Sequence, residues 1–237
     1  MYRRADMRGN FHRAYMSKPS HSATSIWRKW PLLVIFVLIP VLIELVLQAA
    51  DRRWILGPLL RPFIYEYGAF WAGLLDNWRP NYAAQPWLMF VTYSFLHSGL
   101  GHLSGNMVAF LSLLQVTSPR LRWRSFLFVY LSAAIGGAAF FAWLGPVTNP
   151  MVGASGSLFG LAGAWRLQAW QATPGTWIVL RDCVLLILLN VVMWVGQGGA
   201  LAWEAHLGGF VSGVAAMMLV DKRRAMRRKK RRARAGT

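Results

Sequence analysis

The sequence predicts an all-α, polytopic membrane protein: a bundle of six transmembrane helices with a large first loop at the membrane interface. Of its 237 residues, 56% are hydrophobic, and the mean hydropathy is +0.36. A soluble domain of this length rarely needs so much apolar surface. The formal net charge is +18, yet Lys and Arg crowd into the two ends and leave long apolar runs between them. Runs of about twenty apolar residues are typical of membrane-spanning helices.

Six apolar segments are predicted to cross the bilayer. Pro40 and Glu44 interrupt the first span, so we expect both to face neighbouring helices rather than lipid. Residues 51–86 are rich in Trp, Tyr and Phe, which indicates a loop with short amphipathic helices at the interface. Cys183 lies in the fifth span and is expected to be a small core residue. The spans cover about residues 32–50, 99–116, 126–144, 155–170, 177–195 and 203–220.

The distribution of basic residues predicts the orientation. They precede the first span, follow the sixth and occupy the loop after the second, whereas the connections after spans three and five carry none. Both termini are therefore expected in the cytoplasm. We expect a basic cytoplasmic segment over residues 1–30, a membrane-embedded core over 31–220 and a basic cytoplasmic tail over 221–237. The tail should face anionic lipid headgroups. Nucleic-acid binding is not predicted, because no aromatic residue interrupts the tail to stack on bases.

Reactive polar side chains begin spans two, four and six, where His102, Ser155 and His206 lie. The predicted orientation starts all three spans on the outer side of the membrane, so these side chains share one depth. Polar groups are costly inside a bilayer and are therefore functional candidates. A serine, a histidine and a set of hydrogen-bond donors are the components of an acyl-transfer site.

Ser155 follows Gly153 and opens a predicted helix, whose unpaired backbone N–H groups are suited to hold an oxyanion. His206 shares a helical face with the glycines three and seven residues later, and small residues recur every four residues from Gly156. Small faces allow membrane helices to pack closely. If these two faces meet, His206 comes within reach of Ser155 and can serve as its general base.

His102 and Asn106 lie four residues apart on one face of span two and are donors suited to an oxyanion. No Asp or Glu is evident as a third member, so the hypothesis is a Ser–His dyad in which Phe159 stacks against His206. Simpler alternatives are a serine that only caps its helix and polar side chains that only join helices by hydrogen bonds. A metal site with His97, His102 and His206 as ligands is a further alternative, although the dyad chemistry needs neither metal nor cofactor.

Three patterns, in order on spans two, four and six, resemble those of the rhomboid family of intramembrane serine proteases. HSGLGHLSGN, over residues 97–106, matches HxxxxHxxxN. GASG followed by Gly160 matches GxSGxxxG, and AHLGGFVSG matches AHxxGxxxG. The resemblance covers about residues 32–220 and implies a rhomboid-like bundle. It implies the role of nucleophile for Ser155, base for His206 and oxyanion binding for His102, Asn106 and Ser155.

The resemblance also implies the activity: hydrolysis of peptide bonds in or beside the transmembrane segments of membrane proteins. We expect span five and the loop over residues 196–199 to move as gate and lid. The chain departs from the family in its first loop, where Trp-Arg often stands shortly before the first histidine. Here Trp87 is followed by Leu88, and Trp78-Arg79 lies farther upstream, so the sequence identifies no residue that braces this loop.

The rival function is that of a non-catalytic relative that binds client transmembrane helices. Such a protein would be expected to lose the serine or the histidine, and both are present. The compact six-span core resembles bacterial members of the family, which predicts the bacterial inner membrane. A basic N-terminus that acts as an organellar presequence is the alternative.

Overall fold

The computed structural model describes residues 30–117, 121–172, 175–196, 198 and 200–235. Within these residues the regular structure is helical, and one isolated bridge pairs Phe70 with Met151. The first helix, α1, combines Trp30–Leu33, a π-helical stretch Val34–Leu38 and Ile39–Asp51. Short 3-10 turns lie at Ala72–Leu75 and Tyr93–Phe95. The remaining helices are α2 Leu60–Gly68, α3 Gln85–Thr92, α4 Leu100–Thr117, α5 Trp123–Leu144, α6 Ser155–Ala172, α7 Thr176–Gly196 and α8 Trp203–Ala235.

Each of the six predicted spans coincides with one helix, α1 or α4 to α8, and the predicted all-α membrane bundle is confirmed. Among the described residues, three helices are long and apolar enough to cross a membrane: Pro31–Asp51, Trp123–Leu144 and Trp203–Ala235. Helix α8 continues without a break through the predicted core–tail boundary at residue 220. Residues 221–235 of the basic tail are therefore a helical extension of the last span.

A proline explains the irregular start of α1. Pro40 lacks an N–H, and its ring would clash with the carbonyl group four residues earlier in a regular helix. The π-helical stretch Val34–Leu38 directly precedes this position and absorbs the misfit. Pro40 and Glu44 are both buried, as predicted, so the interrupting residues face the protein.

Glycines bring α6 and α8 into backbone contact. A Cβ at Gly209 would overlap the carbonyl oxygen of Gly156, and one at Gly213 would overlap the backbone of Gly160. The two predicted small faces therefore meet. Close backbone approach increases van der Waals contact between helices that gain little from hydrophobic burial in lipid.

Helix α8 also packs closely against α5, and α7 is the most exposed helix of the bundle. A Cβ at Gly208 of α8 would lie 2.5 Å from the carbonyl oxygen of Gly136 in α5. Along α7, none of the described side chains is buried. The expectation that Cys183 is a core residue is wrong, because α7 exposes its thiol.

The glycine contact can be tested with one methyl group. Gly213→Ala is expected to destabilise the protein by about 1–3 kcal/mol, because overpacking forces the helices apart. The control is Gly105→Ala in α4, where a new Cβ meets no atom within 4 Å. The control should be neutral or stabilising, since Ala exceeds Gly in helix propensity by about 1 kcal/mol. Thermal unfolding in detergent compares the variants, and equal midpoints would contradict the contact.

Candidate active site

A hydrogen bond joins the start of α6 to the start of α8. Ser155 is the first residue of α6, and its Oγ lies 2.8 Å from Nε2 of His206. His206 is only 2% exposed, whereas Ser155 is half-buried, so the hydrogen bond is shielded from solvent on the histidine side. The structure thus brings together the serine and histidine that the sequence patterns singled out.

Asn190 of α7 fixes the direction of this hydrogen bond. Its Nδ2 donates to the Leu186 carbonyl oxygen at 3.0 Å, which turns Oδ1 toward His206. Asn190 Oδ1 lies 2.6 Å from His206 Nδ1 and can only accept, so Nδ1 carries the proton of the neutral ring. The lone pair of Nε2 then faces Ser155, whose hydroxyl donates. This arrangement is what a general base requires.

Phe159 covers one face of the imidazole. Its ring centroid lies 4.2 Å from that of His206, and the planes differ by 10°. The stacking expected from the position of Phe159, one turn after the serine, is therefore present. Stacking and the two ring hydrogen bonds together restrict rotation of the His206 side chain.

The turn before α6 brings His102 and Asn106 toward the serine. Gly153 has φ +121°, and a Cβ there would lie 2.7 Å from His102 Nε2 and 3.5 Å from Asn106 Nδ2. Only glycine therefore suits this turn in both conformation and space. Its N–H donates to the Tyr93 carbonyl oxygen at 3.0 Å, which fixes the turn.

His102 and Asn106 both present donors at this turn. The backbone N–H of Ser98 donates to His102 Nδ1 at 3.4 Å, so Nδ1 is an acceptor and the neutral ring carries its proton on Nε2. Asn106 is 5% exposed, and among the described residues its Nδ2 has no acceptor. A buried donor without a partner is costly, so Asn106 Nδ2 is a candidate donor to the oxygen of a bound ligand.

His97 positions the loop through its backbone. Arg61 Nη1 and Tyr65 Oη donate to the His97 carbonyl oxygen at 2.9 and 2.7 Å. The imidazole of His97 is fully buried beside that of His102, with centroids 5.2 Å apart. Burial lowers the pKa of His97 to about 3, so the ring is neutral at pH 7. His97 therefore adds no charge beside His102.

Arg61 supplies the brace that the sequence patterns did not reveal. It contacts both carboxylate oxygens of Glu44, at 2.9 and 3.0 Å, and Oδ2 of Asp51 at 2.8 Å. Burial opposes its charge, but hydrogen bonds to these acids outweigh burial and raise the pKa of Arg61. Arg79 of the upstream Trp-Arg pair is exposed and takes no part. The first loop is thus tied to α1 and to the His97 turn.

Two cavities meet at the Ser155–His206 contact. The first, of about 320 Å³, is lined by polar groups that include Ser98, His102 and Ser155. The second, of about 610 Å³, is a mostly apolar groove between α6, α7 and α8, lined in part by Asn190 and His206. We call them the polar cavity and the apolar groove.

The metal alternative would require His97, His102 and His206 to converge. Both ring nitrogens of His206 already face Ser155 and Asn190. Over the residues that the structure describes, no group of three His, Cys, Asp or Glu side chains is arranged to hold a metal ion.

The family model named Rhomboid domain matches residues 84–223 of the chain. Rhomboid-type serine protease 2 of Emericella nidulans is 30% identical over 146 residues, which is 60% of this chain and 28% of that protein. Rhomboid protein 1, mitochondrial, of Saccharomyces cerevisiae is 30% identical over 140 residues, covering 51% of this chain and 38% of that protein.

Rhomboid protease GluP of Bacillus subtilis is 29% identical over 130 residues, covering 54% of this chain and 25% of that protein. The chain thus spans well under half the length of these three curated relatives. No solved structure matches it.

The Arg61 brace can be tested by a mutant cycle. Arg61→Leu leaves the buried Glu44 carboxylate without its cation and is expected to cost about 3–5 kcal/mol of stability. Arg61→Leu with Glu44→Leu should recover most of the loss, since an apolar pair needs no partner. Arg79→Leu is the matched control and should have little effect. Thermal unfolding in detergent provides the readout. If Arg61→Leu alone were as stable as the variant that also carries Glu44→Leu, the brace would be refuted.

Proposed function

Because the chain belongs to the rhomboid family, we propose that it is an intramembrane serine endopeptidase that cleaves peptide bonds in or next to transmembrane segments of membrane proteins. One observation carries the proposal: the 2.8 Å contact between Ser155 Oγ and His206 Nε2, with the polar cavity on one side and the apolar groove on the other. A serine that only capped α6 would need no imidazole directed at its oxygen.

In the proposed reaction, His206 Nε2 accepts the Ser155 proton while Oγ forms a bond to the substrate carbonyl carbon. The tetrahedral intermediate then collapses: the C–N bond breaks, and the imidazolium donates its proton to the leaving amine. Water enters from the polar cavity, is deprotonated by the same nitrogen and attacks the acyl carbon. Cleavage of the ester C–O bond releases the new carboxyl group and returns the proton to Ser155.

The oxyanion of the intermediate would be held by three groups. These are the Nε2–H of His102, the Nδ2 amide of Asn106 and the backbone N–H of Ser155. The first two lie at the Gly153 turn that leads into Ser155, and the third belongs to an unpaired helix terminus. Preorganised donors of this kind are worth about a hundredfold to a thousandfold each in rate.

Asn190 is a positioning residue in this mechanism. Its Oδ1 accepts a hydrogen bond from the Nδ1–H of His206 and keeps the lone pair of Nε2 directed at the serine. The positive ring that forms during acylation remains hydrogen-bonded to a neutral amide oxygen. Asn190 thus does what a carboxylate does in a triad without placing a charge in the apolar groove.

Helix α7 is the element best suited to admit a substrate helix. Its apolar side chains are exposed, and among the described residues its polar contacts to the rest of the bundle are Asn190 with His206 and Asp182 with Arg166. We therefore retain the prediction that α7 moves as a gate. Of the predicted lid, residues 197 and 199 lie outside the described residues. A cross-link between α7 and α4 that left cleavage of membrane substrates intact would contradict the gate.

The chain is an integral membrane protein, and its orientation is part of the proposal. The basic residues near Arg122 and in the α8 extension support an orientation with both termini in the cytoplasm. The bacterial inner membrane is proposed from the resemblance of the six-span core to bacterial members of the family. The alternative location is an organelle membrane with the same topology, since one of the relatives is mitochondrial. Reporter fusions at each terminus test the orientation, and two termini on opposite sides would contradict it.

The dyad can be tested with a serine-reactive fluorophosphonate. Ser155→Ala and His206→Ala should each abolish labelling and lower cleavage of a single-span substrate by about a thousandfold or more. Ser104→Ala is the control, because this exposed hydroxyl only donates to the Leu100 carbonyl oxygen of its own helix. Labelling that persists without Ser155 would contradict the nucleophile. No labelling of the unmodified chain would favour the protein that only binds client helices.

The positioning role of Asn190 predicts how substitutions at this residue change the reaction rate. Asn190→Leu removes the acceptor at similar volume and should lower kcat and the labelling rate by about a hundredfold through misorientation of the ring. Asn190→Asp keeps an acceptor and should restore most of the rate. Val192→Leu, at an exposed position of α7, is the control. A change confined to KM would instead assign Asn190 to substrate binding.

A further inference from the structure

The end of the bundle opposite the dyad carries a groove that the proposed reaction does not use. It lies between the start of α5 and the extension of α8, has a volume of about 470 Å³ and is floored by Phe128 and Val220. Its walls are basic side chains from both elements. We call it the arginine groove; its walls include Arg122, Arg124, Arg223, Arg227, Arg228 and Arg231.

The arginine groove lies where both helices change from apolar to basic. In α5 the buried Phe126 follows the basic start of the helix, and in α8 the buried Val220 precedes the basic extension. Trp123, 45% exposed, stands beside this boundary. Such a boundary with an exposed tryptophan is typical of the headgroup layer of a membrane. The groove would therefore open among lipid headgroups.

The arginines of the α8 wall repel one another unless an anion lies between them. Arg223, Arg227 and Arg231 recur at four-residue spacing on one helical face. Like charges at this spacing destabilise a helix. The Arg223 guanidinium lies over the Phe128 ring, 5.8 Å from its centroid, which holds one planar donor group against the apolar floor. Guanidinium groups bind phosphate oxygens in bidentate fashion.

We propose that the arginine groove binds the phosphodiester headgroup of an anionic phospholipid. The phosphate lies between arginines of both helices, and the acyl chains continue beside the apolar floor into the bilayer. A nucleic acid fits less well, because Phe128, the aromatic residue that lines the groove, already has the Arg223 guanidinium over one face of its ring, where a base would have to stack. This binding is independent of the proposed reaction at the opposite end.

The test uses the full chain in a neutral detergent, titrated with a fluorescent phosphatidylglycerol at physiological salt. Arg227→Gln with Arg231→Gln is expected to weaken binding about tenfold or more. Arg122→Gln with Arg124→Gln should weaken it similarly, because both walls contact the phosphate. The matched control is Lys222→Gln with Lys229→Gln, which removes the same charge from positions outside the groove. The lipid affinity of the control variant should fall by about threefold at most, because salt screens the general attraction between a basic surface and an anionic lipid.

Fluorophosphonate labelling of all variants should be unchanged, which separates this test from that of the dyad. Equal losses in the groove and control variants would overturn the site in favour of general charge attraction. Equal binding of phosphatidylcholine would also overturn it. Displacement of the lipid by inorganic phosphate at similar concentration would assign the groove to a soluble phosphate instead. Displacement by single-stranded RNA would assign it to nucleic acid.

Discussion

The contact between the glycine faces of α6 and α8 is the constraint on which the bundle and the candidate site both depend. Backbone meets backbone where Gly156 faces Gly209, directly beyond Ser155 and His206. Side chains at this contact would hold the helices apart, and a 2.8 Å hydrogen bond would then be out of reach. In a bilayer, apolar burial adds little to helix association. Packing and the interhelical hydrogen bond therefore reinforce each other.

A second constraint is directional. The chain of hydrogen bonds from the Leu186 carbonyl oxygen through Asn190 and His206 to Ser155 crosses three helices, and each donor has one acceptor. A satisfied buried network is rigid, whereas a network with one missing partner is costly. The orientation of the imidazole thus depends on the position of α7. If α7 moves to admit a substrate, it must return before the base is correctly oriented, which couples access to chemistry.

The sequence predicted the parts of the structure that depend on local patterns. Six apolar runs became helices, and small residues at four-residue spacing marked the α6–α8 contact. What it missed depends on contacts between distant segments. Asn190 was detectable only as a lone polar residue in an apolar span, and no local pattern pairs it with His206. The Arg61 brace was missed for the same reason, because its partners Glu44 and His97 lie in other elements. The exposure of Cys183 follows from the loose packing of α7, which composition does not reveal.

The position of Ser155 and His206 between a polar cavity and an apolar groove addresses the main physical difficulty of the proposed reaction. Trp194 and Trp203 line both spaces, so Ser155 and His206 lie at the boundary between the polar cavity and the apolar groove. A substrate segment that enters from the groove as a helix has its carbonyl groups already hydrogen-bonded, and exposing one in an apolar environment costs several kcal/mol. The donors of His102 and Asn106 lie at the Gly153 turn, and this turn borders the polar cavity. These donors would replace the helical hydrogen bond that is lost at the carbonyl group attacked by Ser155. The substrate helix therefore needs to unwind only at the residues whose backbone hydrogen bonds the donors of His102 and Asn106 replace.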